Sequence, residues 1–130
     1  MTIEKDIEKI YKSDGLDVPG DVIQKILLLY NQGEFLRSLS SSLTALNNYN
    51  KSPILFNIAG ACYAGLGDHE IAIKSYEEAI KINPNYKEAY NNLGAALENY
   101  GSLEEAFNAY SKALSLKPDS VDAETNLVSL

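Results

Sequence analysis

One histidine and one cysteine stand among 130 residues, so nucleophilic chemistry in this chain would have to start from Cys62 and His69. A thiolate–imidazole pair needs both side chains within hydrogen-bond reach and a third group to orient the ring. His69 sits between Asp68 and Glu70 in a turn segment, and no third group accompanies Cys62. The pair therefore reads as an exposed turn histidine and a packed thiol. A His/Cys metal site takes about four such ligands, and the composition supplies two. The acidic pairs Glu77/Glu78 and Glu104/Glu105 offer acid–base groups, yet Lys81, one turn beyond Glu77, marks that face as solvated. The expectation is a non-catalytic chain with no cofactor and no metal.

Charge narrows the partners. With 18 acidic against 11 basic residues the formal net charge is -7, and nucleic acid or an anionic membrane requires clustered Lys and Arg instead. Apolar runs such as Ile26 to Tyr30 fall far short of the roughly 18 residues that span a bilayer. No basic-flanked apolar segment at the N-terminus suggests a signal peptide. A single cysteine allows no intrachain disulfide, which suits a reducing compartment and gives a cytoplasmic expectation. Protein or peptide is the partner class left.

The elements that would position a binding surface follow from a repeat. Phe56, Ala59, Gly60, Tyr63, Gly67, Ala72, Tyr76, Ala79 and Pro84 fall onto Tyr90, Leu93, Gly94, Leu97, Gly101, Ala106, Tyr110, Ala113 and Pro118 at a shift of 34 residues. Large, small and proline positions recur in register, as tandem helix-turn-helix units require. Ser52-Pro53 supplies an N-cap followed by proline at the first helical position. Gly67-Asp68 and Gly101-Ser102 divide each unit, with Ser102 and Glu105 spaced as a capping box. Pro84 and Pro118 stop the second helices. These signals predict helices at 20–32, 34–48, 53–66, 69–82, 87–100, 103–116 and 120–129. Gly60 and Gly94, with Ala72, Ala79, Ala106 and Ala113, let neighbouring helices approach, and Phe56, Tyr76, Tyr90 and Tyr110 fill the gaps between layers.

The spacing resembles that of the tetratricopeptide-repeat family, which runs aromatic-x2-Leu-Gly-x2-Tyr, then Ala-x3-aromatic, then Pro. The resemblance implies an all-α, right-handed α-solenoid of about three repeats at 19–52, 53–86 and 87–120, with a partial repeat or cap at 121–130. Residues 1–18 form a separate N-terminal amphipathic helix and linker, the helix running from Thr2 to Lys12 with Ile3, Ile7, Ile10 and Tyr11 on one face. In the first repeat Val22, Leu29, Gly33 and Ala45 keep the pattern. Lys25, Ile26, Ser38, Ser42 and Asn50 depart from it.

In this family the first helices line a concave groove that holds an extended peptide or a partner helix. Carried over by position, the groove residues are Ile23, Leu27, Tyr30 and Asn31; then Asn57, Ala61, Ala64 and Gly65; then Glu88, Asn91, Ala95, Glu98 and Asn99. One end is apolar, the middle small, and the far end acidic and amide-rich. No Lys or Arg occupies these positions, which argues against an acidic chaperone tail, since a bound carboxylate calls for charge-assisted donors. Asn92 and Asn126 also fall where the transferase-type repeats carry an asparagine ladder, while Gln24 and Ile58 hold that place in the earlier repeats.

The expected function is thus a non-catalytic protein-interaction module whose peptide or helix ligand is apolar with some basic character. Two other readings stand beside it. The groove is filled by the N-terminal helix of the same or another copy, giving a self-associating scaffold and a homo-dimer, or the chain is the N-terminal targeting arm of a larger transferase.

Overall fold

The computed structural model describes residues 17–116 and 126–127, and over these the chain is helical with no strand. Six helices follow one another: α1 (Gly20–Asn31), α2 (Phe35–Leu46), α3 (Pro53–Gly65), α4 (His69–Ile82), α5 (Lys87–Tyr100) and α6 (Leu103–Leu116). Each lies within two residues of its expected range. The expected helix Thr2 to Lys12 lies outside the described residues. So does most of the expected C-terminal helix, of which Asn126 and Leu127 are helical.

The turn inside each repeat is built three times in the same way. Gly33, Gly67 and Gly101 adopt φ of 78°, 84° and 95°, the left-handed region that costs glycine nothing. In the second repeat Asp68 N–H donates to the Tyr63 carbonyl at 2.9 Å and Gly67 N–H to the Ala64 carbonyl at 3.0 Å. Glu34/Leu29 with Gly33/Tyr30, and Ser102/Leu97 with Gly101/Glu98, repeat that double closure. It satisfies the carbonyls that a helix end leaves open. Helix starts follow the sequence less uniformly. Ser52 caps α3 by accepting from Leu55 N–H at 3.3 Å, and Asp68 caps α4 by accepting from Ile71 N–H at 3.3 Å. The expected Ser102/Glu105 box does not close; the entry to α6 is marked instead by Ala106 N–H donating to the Ser102 carbonyl at 2.9 Å.

Consecutive helices pack on each other, and α3 also touches both α1 and α5 across repeats, whereas α2, α4 and α6 make no such mutual contact. The first helices therefore form the tighter, inner layer. The second helices splay along the outer one, and the stack curves around α1, α3 and α5.

A knob and a hole fix the spacing within repeats 2 and 3. The Tyr76 ring lies on Gly60 so closely that a Cβ there would sit 2.6 Å from it, and Tyr110 leaves 2.5 Å above Gly94. Repeat 1 inverts the sizes. Ile26 stands where the glycine should be and is 2% exposed, while the aromatic is replaced by Ser42, which is fully buried. The exchange strands two hydroxyls in the core, and both find carbonyls: Ser38 Oγ donates to Ile26 O at 3.0 Å and Ser42 Oγ to Ser38 O at 2.8 Å. Buried hydroxyls are tolerated only when so partnered.

Candidate functional site

On the inner layer the helices bound a cavity of about 550 Å³, within the roughly 300–1,000 Å³ range of ligand clefts. Eight of the thirteen groove residues expected from the sequence line it: Leu27 and Tyr30 from α1, Asn57, Ala61, Ala64 and Gly65 from α3, and Ala95 and Asn99 from α5, with the ladder residue Asn92 beside them. The other five stand elsewhere. Ile23 packs against the apolar cluster of repeats 1 and 2, Asn31 and Glu88 are exposed, Asn91 is bonded to Asn126, and Glu98 is bonded to Tyr110.

The walls are of two kinds. Leu27, 37% exposed, and Tyr30 make the apolar side, and Tyr30 is braced by Phe35 with ring centroids 5.2 Å apart. Phe35 in turn lies over Gly65, where a Cβ would meet its ring at 2.8 Å. Opposite, Asn57 is the centre of a polar seam. Asn92 Nδ2 donates to Asn57 Oδ1 at 3.1 Å, and Asn57 Nδ2 donates to the Tyr86 hydroxyl at 3.4 Å. Burial raises the Tyr86 phenol, the Asn57 bond lowers it, and the nearby Glu88 charge raises it, for a net upward shift.

The Asn57–Asn92 bond recurs one repeat later, where Asn126 Nδ2 donates to Asn91 Oδ1 at 3.0 Å. Both links join residues 35 apart, one more than the repeat. At the first junction the corresponding residues are Ile23 and Ile58, members of one apolar cluster. The asparagines at the ladder position are thus engaged with neighbouring repeats, and Asn92 has a second amide hydrogen beyond the one given to Asn57.

Three lining residues escape a sequence reading: Ile58, Ala96 and Tyr76. Tyr76 reads as structural because its ring fills the hole over Gly60, but it comes from an outer helix and still reaches the inner face. Its counterpart Tyr110 donates through its hydroxyl to Glu98 Oε1 at 3.0 Å. Burial, that bond and the Glu98 charge all push the Tyr110 phenol far above the usual range. Tyr76 is pushed up likewise, by burial first and then by Tyr30 and Cys62. A glutamate position matched by Ala64 explains why Tyr76 has no such acceptor.

The candidate reactive residues are not assembled. Cys62 is fully buried, its thiol raised by burial and lowered less by a hydrogen bond with Ser38. His69 is half-buried, not exposed as its turn suggested, and its Nδ1 has no hydrogen-bond partner among the described residues. It begins α4 at the place where Phe35 begins α2 and Leu103 begins α6. Among the described residues no group of three His, Cys, Asp or Glu converges as a metal site, and no helix is long and apolar enough to cross a membrane.

Comparison with known proteins gives the same frame. A TPR repeat family model matches residues 60–101, and a tetratricopeptide repeat model matches residues 88–120. The photosystem I assembly protein Ycf3 of Acaryochloris marina is 34% identical over 64 residues, covering 46% of this chain and 38% of that protein. Among solved structures, the first TPR of Spaghetti (RPAP3) bound to the HSP90 peptide SRMEEVD superposes with a TM-score of 0.80 at 24% identity, covering 83% of this chain and 86% of that one. The Sgt2 TPR domain from Aspergillus fumigatus gives 0.84 at 22% identity, covering 89% and 80%. The second TPR domain of human RPAP3, in complex with the HSP70 peptide SGPTIEEVD, gives 0.78 at 21%, covering 83% and 90%. The matched residues, 60–120, include Gly60 with Tyr76 and Gly94 with Tyr110, and over that stretch the chain is built of tetratricopeptide repeats.

Proposed function

We propose that this chain is a non-catalytic protein-interaction module that binds a peptide segment on its inner face. The observation that carries the reading is the cavity itself: apolar and small residues from three helices, edged by three asparagines with amide hydrogens to spare. Such a surface suits a peptide, whose backbone needs donors and acceptors while one side chain is buried. Two of the structural neighbours are complexes with chaperone peptides, which supports a peptide ligand of some kind. Their acidic peptides fit less well here, because no Lys or Arg lines the cavity.

Selection from a random dodecapeptide library tests this. The chain should enrich peptides, and Ala61→Trp and Ala95→Trp, which fill the cavity, should abolish their binding. Retained binding by both variants would place the ligand elsewhere.

A second reading has one observation in its favour. Val18, which follows Thr2 to Lys12 in the chain, packs on the same cluster as Ile23 and Tyr30, so the described residues start close to the apolar end of the groove. If that segment is the resident ligand, removing residues 1–16 should raise dye binding at Leu27 and Tyr30 and dissociate any dimer seen by light scattering. Unchanged dye binding and mass would count against it.

A further inference from the structure

Resting on the reading of the inner face as a peptide site, we propose that the slot formed by Ala64 and the Tyr76 hydroxyl is its specificity pocket. The occupant is a bulky apolar side chain from a partner segment that carries flanking basic residues and presents no carboxylate there. Three observations converge on it.

The first is a contrast between equivalent tyrosines. Tyr110 has its hydroxyl closed by Glu98 at 3.0 Å. The residue 34 positions before Glu98 is Ala64, so nothing closes Tyr76. Its side chain is 3% exposed, it lines the cavity, and its hydroxyl makes no hydrogen bond among the described residues. The hydroxyl oxygen is not sealed off, since among the described residues the fully buried side-chain polar atom left unpartnered is His69 Nδ1; it opens on the cavity, where a segment that displaces its water must offer an acceptor. A backbone carbonyl of a bound segment supplies one, whereas an aliphatic surface alone does not.

The second is the floor. Ala61, Ala64, Gly65 and Ala95 present no side chain beyond a methyl, so volume is left open between Tyr30 and the asparagines. That space is apolar at its base and polar at its rim. A large apolar residue with its own peptide groups at the rim matches both.

The third is charge. The polar groups of the lining are neutral amides and phenols, with no Lys or Arg among them, on a chain of formal net charge -7. A carboxylate desolvated here would meet no cation. Lys or Arg beside the buried residue is complementary instead.

The test uses the full chain and fluorescence anisotropy with three probes: blocked Gly-Lys-Ala-Leu-Ala-Lys-Gly, the same peptide with alanine at its centre, and SRMEEVD. The leucine peptide should bind at least tenfold more tightly than either other. Ala64→Glu copies the arrangement at Glu98 and Tyr110, so the repeat accommodates it, and it should weaken the leucine peptide at least tenfold. Tyr76→Phe keeps the ring over Gly60 and should weaken it severalfold. Thermal unfolding checks that both variants are folded.

Equal binding of leucine and alanine peptides, tighter binding of SRMEEVD, or indifference to Ala64→Glu would overturn the pocket. If Leu27→Asp still weakened binding in that case, the groove reading would survive it. Failure of all three probes together with failure of the dodecapeptide selection would remove both. Leucine-peptide binding that appears only after residues 1–16 are deleted, or that dissolves a dimer of the chain, would assign the slot to this chain's own segment or to a second copy.

Discussion

Repeat 1 and repeats 2 and 3 solve one packing problem with opposite sizes. In the later repeats the first helix gives a glycine and the second an aromatic, and Tyr76 and Tyr110 are held against Gly60 and Gly94. In the first repeat the first helix gives Ile26 and the second Ser42, both buried. The volume is conserved in kind, but the chemistry is not. A tyrosine threaded from the outer layer delivers a hydroxyl to the inner face, while isoleucine delivers nothing polar. Repeat 1 therefore contributes an apolar wall, Leu27 and Tyr30, and repeat 2 contributes a small-residue floor with the polar groups of Asn57 and Tyr76 beside it.

The largest effect expected from this contrast is loss of a ring. Tyr110→Ala should destabilise the chain by about 3–5 kcal/mol, as truncation of a large buried aromatic does, whereas Ser42→Ala should cost about 1 kcal/mol or less. Urea unfolding of the two variants measures the difference. Next comes the inversion itself. Ile26→Gly and Ser42→Tyr should each destabilise by roughly 2 kcal/mol or more, one by a void and the other by overpacking. Combined, they should recover part of the loss, with a coupling of about 0.5–3 kcal/mol. Strict additivity would show that the two positions do not share one space.

Gly60→Ala is a smaller change with a defined cause, since the new methyl would lie 2.6 Å from the Tyr76 ring. Overpacking of this kind costs about 1–3 kcal/mol, and Tyr76→Leu in the same chain should relieve it. The smallest effect is expected at the buried hydroxyls of repeat 1. Ser38→Ala removes the donor to Ile26 O and should lower stability by about 0.5–1.5 kcal/mol, read as a shift in the urea midpoint.

Much of this architecture is legible in the sequence because it is periodic. The 34-residue frame, the turn glycines and the Ser52-Pro53 cap place the helices, since each signal is local and repeats. The departures in repeat 1 are legible only as departures. Ile26 and Ser42 each break the pattern, and only the bonds that run from Ser42 to Ser38 and on to the Ile26 carbonyl show how the two helices fit together there. The asparagine links are hidden for a related reason. They join residues 35 apart, so a comparison at a shift of 34 never pairs Asn57 with Asn92. Tyr76 is read correctly as a packing ring over Gly60 but not as a cavity residue, because a packing pattern registers the ring alone. His69 looks exposed from its turn neighbours, yet it is half-buried, and a residue's burial in a stack depends on contacts that its local sequence does not carry.

The most direct test of the account is a ¹⁵N–¹H correlation titration of the full chain with the blocked leucine peptide. The account predicts shifts concentrated at the amides of Ala61, Ala64, Gly65 and Ala95 and at the side-chain amides of Asn57, Asn92 and Asn99. Shifts concentrated on the outer faces of α2, α4 and α6 would contradict it.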